Sequence, residues 1–318
     1  MRALASGGVH VSTPSARERF AAFRRSIPVP ARLVHTQVTA RGLSFAVFHT
    51  PVVAGATPLV CINGGMLYDH KLLWPALSPL AAKRQLILYD QRGRGRSTAP
   101  PGIRAARAEH DALDVGALRV ALGLRRWDVL GHSWGGGIAM MGVEADRAGT
   151  RRLVTIDAVG PTSSWREMLE PAALARLDVA GRADLTRAAA RLAADDTLDS
   201  QSAYNRAIYP AWFADREMGA LFTPPRATSE TGAAISRRLR AEGYDWRERL
   251  RGLDVPALIV HGERDLLPAT VATDWLACLP NARVALVPNA GHMPFWEQPE
   301  LLFPTIEAFL SAPDAGPP

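Results

Sequence analysis

Residues 131–135, Gly-His-Ser-Trp-Gly, constrain the possible fold of this chain more than any other feature. They lie between an apolar run that suits a buried strand, 127–130, and a small-residue run that suits a closely packed helix, 136–145. This arrangement is typical of a nucleophile elbow, a tight turn that lifts a serine hydroxyl out of the chain at the end of a strand. The turn strains the serine backbone and leaves no room for side chains at Gly131 and Gly135. A chance glycine-rich turn could have the same five residues. Whether this one is a nucleophile elbow depends on the rest of the sequence.

Strand-like and helix-like patterns alternate along most of the sequence. Strands are predicted at residues 33–39, 43–49, 59–62, 85–89, 127–130, 153–156, 257–260 and 283–287. Helices are predicted at residues 72–83, 104–122, 136–145, 270–279 and 299–310. This alternation indicates an α/β fold with a mostly parallel central sheet flanked by helices, and with antiparallel strands at one edge from the β-rich start.

One long segment, residues 161–251, breaks the alternation. Helical spacing recurs there at 171–177, 183–194, 204–218 and 229–241, and no strong strand is evident. Ligands bind beside the carboxyl ends of strands in open α/β sheets, so an insertion between two strands predicts an all-helical lid that walls a pocket. A peripheral helical subdomain without contact to the site is the alternative.

The predicted organisation has four parts. They are an irregular N-terminal arm (1–32), an α/β core (33–160 and 252–312), a helical lid (161–251) inserted before the strand that carries the catalytic acid, and a flexible tail (313–318).

Charge and cysteine content exclude several classes of function. The net charge is +6, but all except two of the 37 basic residues are arginines spread along the chain, which favours solvated surface over a nucleic-acid footprint. Cys61 and Cys278 are the only cysteines and have neither disulfide-framework nor zinc-site spacing. No stretch has secretory or membrane-spanning length. We expect a cytoplasmic monomer or small homo-oligomer with no nucleic-acid or membrane partner, no metal and no other cofactor.

Two further residues can complete the chemistry of Ser133. A serine hydroxyl needs a base beside it and an acid that orients the base. Asp265 follows the predicted strand 257–260 and its glycine turn, and His292 follows the predicted strand 283–287. The chain order serine, acid, histidine, with each residue just beyond a strand, predicts the catalytic set Ser133, Asp265 and His292.

Other titratable residues compete for these roles. Glu263 and Asp157 are the possible substitutes for Asp265, since both lie at or near strand ends. His261 ends a strand rather than following it, and we interpret it as structural. His132 and His70 have no acid placed to support them in the triad pattern, so we predict His292 as the base.

Negative charge that develops on a substrate carbonyl needs backbone donors. One donor is the amide after the nucleophile, that of Trp134. The other is expected from the glycine-containing loop after the third strand, Asn-Gly-Gly-Met at 63–66, and we assign it to the Gly65 amide.

The chain resembles the α/β-hydrolases across nearly its whole length, and within them it is similar to the proline iminopeptidase-like branch. Residues 90–97, Asp-Gln-Arg-Gly-Arg-Gly-Arg-Ser, and 131–135 match motifs of that branch. The oxyanion loop departs from it, because Asn63 stands where the branch has histidine and residues 66–67 are Met-Leu instead of Pro-Gly. We interpret Asp90 and Arg92 of the first motif as residues that brace the active-site loops.

The resemblance also implies that lid carboxylates hold the free amine of the substrate. The available carboxylates are Glu167, Glu170, Glu217 and Glu230, although solvated helix faces explain each of them as well. Several lid aromatics could line an apolar acyl pocket or belong to the core: Trp165, Tyr204, Tyr209, Trp212, Phe213 and Phe222.

These observations predict a serine hydrolase that cleaves a small-molecule ester, lactone or amide, or a short peptide, through an acyl-enzyme. Serine at position 133 argues against relatives that use an aspartate nucleophile, such as epoxide hydrolases and dehalogenases. A proline iminopeptidase-like aminopeptidase, an acyltransferase or cyclase of specialised metabolism, and a ligand receptor on the same fold remain as alternatives.

Overall fold

A single eight-stranded sheet organises the computed structural model, which describes residues 14–26 and 32–313. Its strands are β1 (Val34–Ala40), β2 (Leu43–His49), β3 (Leu59–Ile62), β4 (Leu86–Tyr89), β5 (Trp127–His132), β6 (Thr150–Ile156), β7 (Ala257–Gly262) and β8 (Ala282–Val287). The spatial order is β1-β2-β4-β3-β5-β6-β7-β8. Only the β1–β2 and β2–β4 pairs are antiparallel, and all other neighbours are parallel. The predicted mostly parallel sheet with an antiparallel edge is therefore confirmed.

Twelve α-helices lie among the described residues. They are α1 (Ala16–Ser26), α2 (Ala108–Ala121), α3 (Trp134–Ala145), α4 (Trp165–Arg176), α5 (Val179–Ala194), α6 (Leu198–Ile208), α7 (Arg216–Leu221), α8 (Glu230–Glu242), α9 (Arg247–Leu250), α10 (Thr270–Thr273), α11 (Pro294–Glu297) and α12 (Pro299–Leu310). No helix of residues 14–26 and 32–313 is long and apolar enough to span a membrane.

Both faces of the sheet are buried, as a parallel sheet requires. Along β3 the side chains alternate, so that Val60 and Ile62 belong to one apolar cluster while Leu59 and Cys61 belong to the other. This period of two explains why the strand reads as an uninterrupted apolar run. Helices α2 and α3 pack beside each other, and α12 contributes to the second cluster.

Helices α4 to α9 all lie between β6 and β7, within residues 161–251. We call this segment the helical insertion. Side-chain caps explain several of its helix starts: Asp178 accepts the amide of Gly181, and Ser229 accepts that of Gly232. Within the insertion a single isolated bridge, Thr162–Asp245, is the only β pairing recorded for the described chain outside the named strands.

Four sequence predictions of secondary structure are wrong in part. Residues 72–83 form two short 3₁₀ segments, His70–Leu72 and Ser78–Ala82, instead of a helix. Pro75 and Pro79 lie in that stretch, and proline has no amide to donate to a helix. The predicted helix 204–218 is divided by a 3₁₀ segment, Tyr209–Trp212, that contains a proline.

The helix predicted over 270–279 is also interrupted, because α10 ends after one turn and a 3₁₀ segment, Asp274–Ala277, follows it. The irregular conformation expected of the N-terminal arm is wrong for residues 16–26, which form α1. The rest of that arm up to residue 31, except residues 14 and 15, and the tail from 314 lie outside the described residues.

Candidate active site

The turn between β5 and α3 holds Ser133 in strained geometry, with φ of 56° and ψ of −124°. A Cβ atom at Gly131 would collide with the carbonyl oxygen of Gly135, and one at Gly135 would collide with that of Ile62. The steric reason predicted for the two glycines is thus confirmed. The strain is retained because the surrounding strand, helix and neighbouring loop leave the serine no other conformation.

Three residues far apart in sequence meet at the carboxyl ends of the parallel strands. His292, in the loop after β8, has Nε2 2.9 Å from Oγ of Ser133. Its Nδ1 lies 2.8 Å from Oδ2 of Asp265, in the turn after β7. The structure therefore brings all three predicted residues into one hydrogen-bonded row, with His292 and Asp265 buried. Such a row is suited to removing a proton from the serine and holding it on the imidazole.

Two carboxyl groups lie behind His292. Burial alone would raise the pKa of Asp265, but the charge of His292 and its hydrogen bond hold that pKa below the usual value. Burial and the nearby charge of Asp265 raise the pKa of Asp157 well above its usual range. Asp157 accepts the Gly262 amide at 2.6 Å. Of the two acids, Asp265 therefore ionises more readily beside His292, and Asp157 keeps its proton more readily.

The other candidates for the acid and the base either lie away from Ser133, His292 and Asp265 or form hydrogen bonds with other groups. Glu263 is exposed. His261 is buried and donates from Nε2 to the Leu267 carbonyl at 2.8 Å, which agrees with the structural role predicted for it. The statement that His70 has no supporting acid is wrong, because its Nδ1 lies 2.7 Å from Oδ1 of Asp90. Strand β4 brings Asp90 to this position, 20 residues from His70 in sequence.

The loop that carries His292 is held by contacts that sequence reasoning did not find. His132, inside the elbow, donates from Nε2 to the carbonyl of His292 at 2.9 Å. Burial first, and then the charge of His292, lower the pKa of His132 to about 3, so this imidazole is neutral and acts as a fixed donor. On the other side, the His292 amide donates to the carbonyl of Trp212 at 2.7 Å, and the two rings lie 4.1 Å apart.

A second carboxylate, that of Glu297 in α11, ties this loop to the helical insertion. It accepts three backbone amides: that of Gly291 at 2.7 Å, that of Ala214 at 2.8 Å and that of Asp215 at 3.1 Å. Burial raises the pKa of Glu297 to about 7, although the three donors oppose the shift. In the sequence, Glu297 is marked only as an acid five residues beyond His292.

The loop after β3 lies beside Ser133. Gly65 has φ of 61°, and a Cβ atom there would collide with the ring of Tyr68. Asn63 donates from Nδ2 to the carbonyls of Gly64 and Tyr68, both at 3.2 Å, so it stabilises the loop from within. The carbonyl of Asn63 accepts Nε2 of Gln91 at 3.0 Å.

The motif at 90–97 braces this loop through Gln91 and Arg94, so the bracing role predicted for Arg92 is wrong for this loop. Arg94 donates from Nε to the carbonyl of Met66 at 2.9 Å and pairs with the buried carboxylate of Asp111. Arg92 pairs with Asp114 in α2 instead. Asp90 accepts the amides of His70 and Arg96.

A cavity of about 630 Å³ opens above Ser133. Gly65, Trp134 and His292 line its core side, and residues of the helical insertion line the rest. Of the six aromatics named from sequence, four line the cavity: Trp165, Tyr204, Tyr209 and Trp212. Phe213 and Phe222 instead stack on each other at 4.8 Å and belong to the second apolar cluster.

Of the four insertion carboxylates that were candidates for binding a substrate amine, one lines the cavity and three do not. Glu170 lines the cavity, where it accepts the hydroxyl of Tyr204 at 3.5 Å. Glu167, Glu217 and Glu230 are exposed and do not line it. A site for a substrate amine built from several of them is therefore wrong, and one carboxylate remains for it.

Two groups of titratable side chains bring their ligand atoms within 4.8 Å of one another, as a cation site would. They are Asp69, His70 and Asp90, and Asp157, Asp265 and His292. In each group a histidine already hydrogen-bonds to an aspartate.

The sequence and the structure are similar to those of known proteins. The alpha/beta hydrolase fold family matches residues 57–299. The proline iminopeptidase of Lactobacillus delbrueckii subsp. lactis is 30% identical over 288 residues, which cover 82% of this chain and 94% of that protein.

Two solved structures share the fold. The proline iminopeptidase of Mycobacterium smegmatis superposes with a TM-score of 0.62 at 23% identity, covering 87% of this chain and 97% of its own. The enol-lactonase of Burkholderia xenovorans LB400 superposes with a TM-score of 0.65 at 21% identity, covering 87% of this chain and 100% of its own.

Proposed function

Because this chain belongs to the alpha/beta hydrolase family, in its proline iminopeptidase-like branch, and is a hydrolase of ester or peptide bonds, we propose that it is a serine hydrolase that forms an acyl-enzyme. Its substrate is a small ester, lactone or amide that enters the cavity above Ser133. The observation that carries this proposal is the hydrogen-bonded row in which His292 joins Ser133 to Asp265.

In this mechanism His292 accepts the proton of Ser133 as the serine oxygen attacks the carbonyl carbon. The contact of 2.9 Å between Nε2 and Oγ suits that transfer. His292 then gives the proton to the leaving group, and the acyl-enzyme forms. Asp265 holds the imidazole by Nδ1 and stabilises its cation. Water activated by His292 releases the acid and restores the serine.

The oxyanion of each tetrahedral intermediate is assigned to two backbone amides, those of Gly65 and Trp134. Both residues line the cavity beside Ser133. Trp134 is the first residue of α3, so its amide lies at a helix N-terminus, where negative charge is stabilised. The bonds made by Asn63 and Gln91 keep the Gly65 loop in place before substrate binds.

The helical insertion acts as the lid in this proposal. It provides most of the cavity wall and also supports the catalytic histidine, through Trp212. Closing such a site excludes water and strengthens the electrostatic contacts inside it.

An aminopeptidase that releases an N-terminal residue is the second candidate. It is favoured by the relatives named proline iminopeptidases and by Glu170, a carboxylate in the cavity that could hold a substrate amine. A panel of amino-acid arylamides and neutral nitrophenyl esters distinguishes the two, because the aminopeptidase requires the free amine.

Labelling with a fluorophosphonate, followed by peptide mass mapping, tests the proposal directly. We expect the label on Ser133, and we expect Ser133→Ala and His292→Ala to lower kcat/KM for a nitrophenyl ester by about 10³-fold or more. Ser236→Ala is the matched control, since Ser236 lines the same cavity but hydrogen-bonds to Arg240. A label on another residue, or near-normal turnover in either variant, would refute the mechanism.

A further inference from the structure

The charges around the cavity are distributed unevenly. All the aspartate, glutamate, lysine and arginine residues that line it belong to the helical insertion: Arg166, Glu170, Asp196, Arg237 and Arg240. The core side, around Ser133 and His292, is lined by apolar, glycine, serine, tyrosine and histidine residues. A charged group on a substrate would therefore be recognised by the insertion, away from the reacting carbonyl.

Two of these charges, Asp196 and Arg240, form an ion pair. Arg240 holds Asp196 with two prongs, Nη2 to Oδ1 at 2.6 Å and Nε to Oδ2 at 3.0 Å. Oδ1 of Asp196 also accepts Nε2 of Gln201 at 2.7 Å. Arg237 donates to the backbone carbonyl of Asp196 at 2.9 Å. The negative charge of Asp196 is thus compensated by Arg240 and is not available to a ligand.

Arg166 on α4, like Arg237 on α8, has only a backbone carbonyl as its hydrogen-bond partner among the described residues. Arg166 is half-buried, and its one recorded hydrogen bond is from Nη1 to the carbonyl of Leu239 at 3.0 Å. Within residues 14–26 and 32–313 no carboxylate oxygen lies within 4.0 Å of its guanidinium, so Glu170, one turn further along α4, is not its ion-pair partner.

Burial and the neighbouring Arg240 lower the pKa of Arg166, in keeping with a guanidinium that has no carboxylate beside it among the described residues. A guanidinium has five N–H donors, and Leu239 uses one. The remaining fork matches the geometry of a carboxylate, which it can bind with two parallel hydrogen bonds.

We propose that Arg166 binds a carboxylate of the substrate, so that the preferred substrates are small esters, lactones or amides with a free carboxylate at the end remote from the scissile bond. The inference rests on the proposed function, because it assumes that the cavity above Ser133 is where the bond is cleaved. It reverses the charge expected of an aminopeptidase substrate. The cavity volume of about 630 Å³ is in the range of small-molecule sites.

The test compares substrates that differ in one charge. The 4-nitrophenyl monoesters of adipic, pimelic and suberic acid are each paired with the ester in which the free acid is replaced by a primary amide, and spontaneous hydrolysis is subtracted. We expect kcat/KM of the wild-type enzyme to be about 10-fold to 100-fold higher for at least one acid than for its amide, as a charge-assisted pair predicts.

Variants then assign the preference to one residue. Arg166→Gln should lower the acid-to-amide ratio to about one, with the larger loss of kcat/KM on the acid. Arg166→Lys should keep part of the ratio, because it retains the charge but loses the fork. Arg182→Gln is the matched control: Arg182 is also an insertion arginine that donates to a backbone carbonyl, that of Leu177, but it is exposed and outside the cavity.

Inhibition of the wild-type enzyme provides a test that needs no variant. Pimelate should inhibit hydrolysis of the neutral ester competitively, with an inhibition constant at least about 10-fold lower than that of pimelamide. Equal inhibition, a preference for the amide esters, or an unchanged ratio in Arg166→Gln would overturn the inference. A fall of the same size in Arg182→Gln would also overturn it, since the effect would then come from net charge.

The experiments distinguish a failure of the proposed substrate class from a failure of the proposed serine hydrolase function. If the fluorophosphonate labels Ser133 and neutral esters turn over, but carboxylates give no advantage, only the substrate class is wrong. If Ser133 is not labelled, the proposed function itself is wrong.

Discussion

At the scale of single residues, Asp157 and Asp265 show how one site separates two similar acids. They follow neighbouring strands, β6 and β7, and both are buried behind His292. Asp265 is kept ionised by the imidazole, whereas Asp157 has a backbone amide as its donor and a raised pKa. Two negative charges this close together in a buried site repel each other at a large cost in free energy, so we expect one of the two acids to keep its proton.

Asparagine substitutions should therefore affect the two positions differently. Asp157→Asn replaces a neutral acid with a neutral amide, and we expect kcat/KM to stay within about threefold of wild type. Asp265→Asn removes the charge that stabilises the imidazolium, and we expect a loss of about 10²-fold to 10⁴-fold. Steady-state kinetics on a nitrophenyl ester measures both, and a double variant shows whether Asp157 compensates in Asp265→Asn. Equal losses in the two single variants would contradict this division.

The raised pKa of Asp157 also predicts a pH dependence of stability. In the unfolded chain this carboxyl ionises near its ordinary pKa of 3.8, but in the folded protein it keeps its proton well above that value. The folded state therefore binds more protons in this window, and the contribution of Asp157 to the unfolding free energy decreases as pH rises above about 4. Urea unfolding at pH 5 and pH 8 should show a smaller decrease for Asp157→Asn than for wild type. An equal decrease in both proteins would exclude Asp157 as its source.

At the scale of elements, the loop between β8 and α11 depends on two other parts of the chain. The elbow supports it through His132, and the insertion supports it through Trp212 and through the backbone amides that Glu297 accepts. The position of His292 is therefore set jointly by the core and by the helical insertion.

Glu297→Gln should reveal this dependence in the pH profile. Above pH of about 7 the ionised Glu297 accepts three amides, and below it the protonated acid has less acceptor capacity, as glutamine has. We expect kcat/KM of Glu297→Gln to be about 3-fold to 10-fold below wild type at pH 8 and to approach wild type at pH 6. A ratio that does not change with pH would contradict the role. Glu300→Gln, an exposed neighbour in α12, serves as the control and should match wild type at both values.

At the scale of the whole molecule, α1 connects the N-terminal segment to the helical insertion. Arg19 pairs with Asp215, the residue that caps the N-terminus of α7. Phe20 packs edge-on against Phe222 at 5.0 Å and against Trp296 of α11 at 5.6 Å. This helix thus covers an aromatic cluster directly behind the segment that supports His292.

Removing this contact should destabilise the protein. Phe20→Ala deletes a half-buried ring, and we expect a loss of about 1–2 kcal/mol and a Tm lower by about 2–6 °C. Thermal unfolding followed by circular dichroism measures the shift. Arg17→Ala, an exposed position of the same helix, should leave Tm within about 1 °C. Comparable shifts in the two variants would mean that α1 is stabilised by something other than this packing.

Local patterns were enough to predict much of the fold. The predicted bounds of β2 and β3 agree with the structure, because a buried strand needs only a short apolar run that the neighbouring residues interrupt. The predicted helices 72–83 and 204–218 are interrupted near prolines, because periodicity counts apolar residues and not amide donors, whereas α12 keeps Pro304 in its interior and was predicted with the correct bounds. Helix α1 was missed because its stability comes from Phe222 and Trp296, about two hundred residues or more away.

The sequence by itself determined the elbow, the strand–helix alternation and the residues at the strand ends, since each of these is encoded within a few neighbouring positions. Their catalytic roles remain predictions. Tertiary structure alone decided that Asp90 serves His70, that Glu297 joins two segments, and that Arg166 has no carboxylate beside it among the described residues. When the partner of a residue comes from a distant segment of the chain, no local motif or regular spacing in the sequence marks the contact. Burial, which sets how much a charge needs a partner, exists only once the chain has folded.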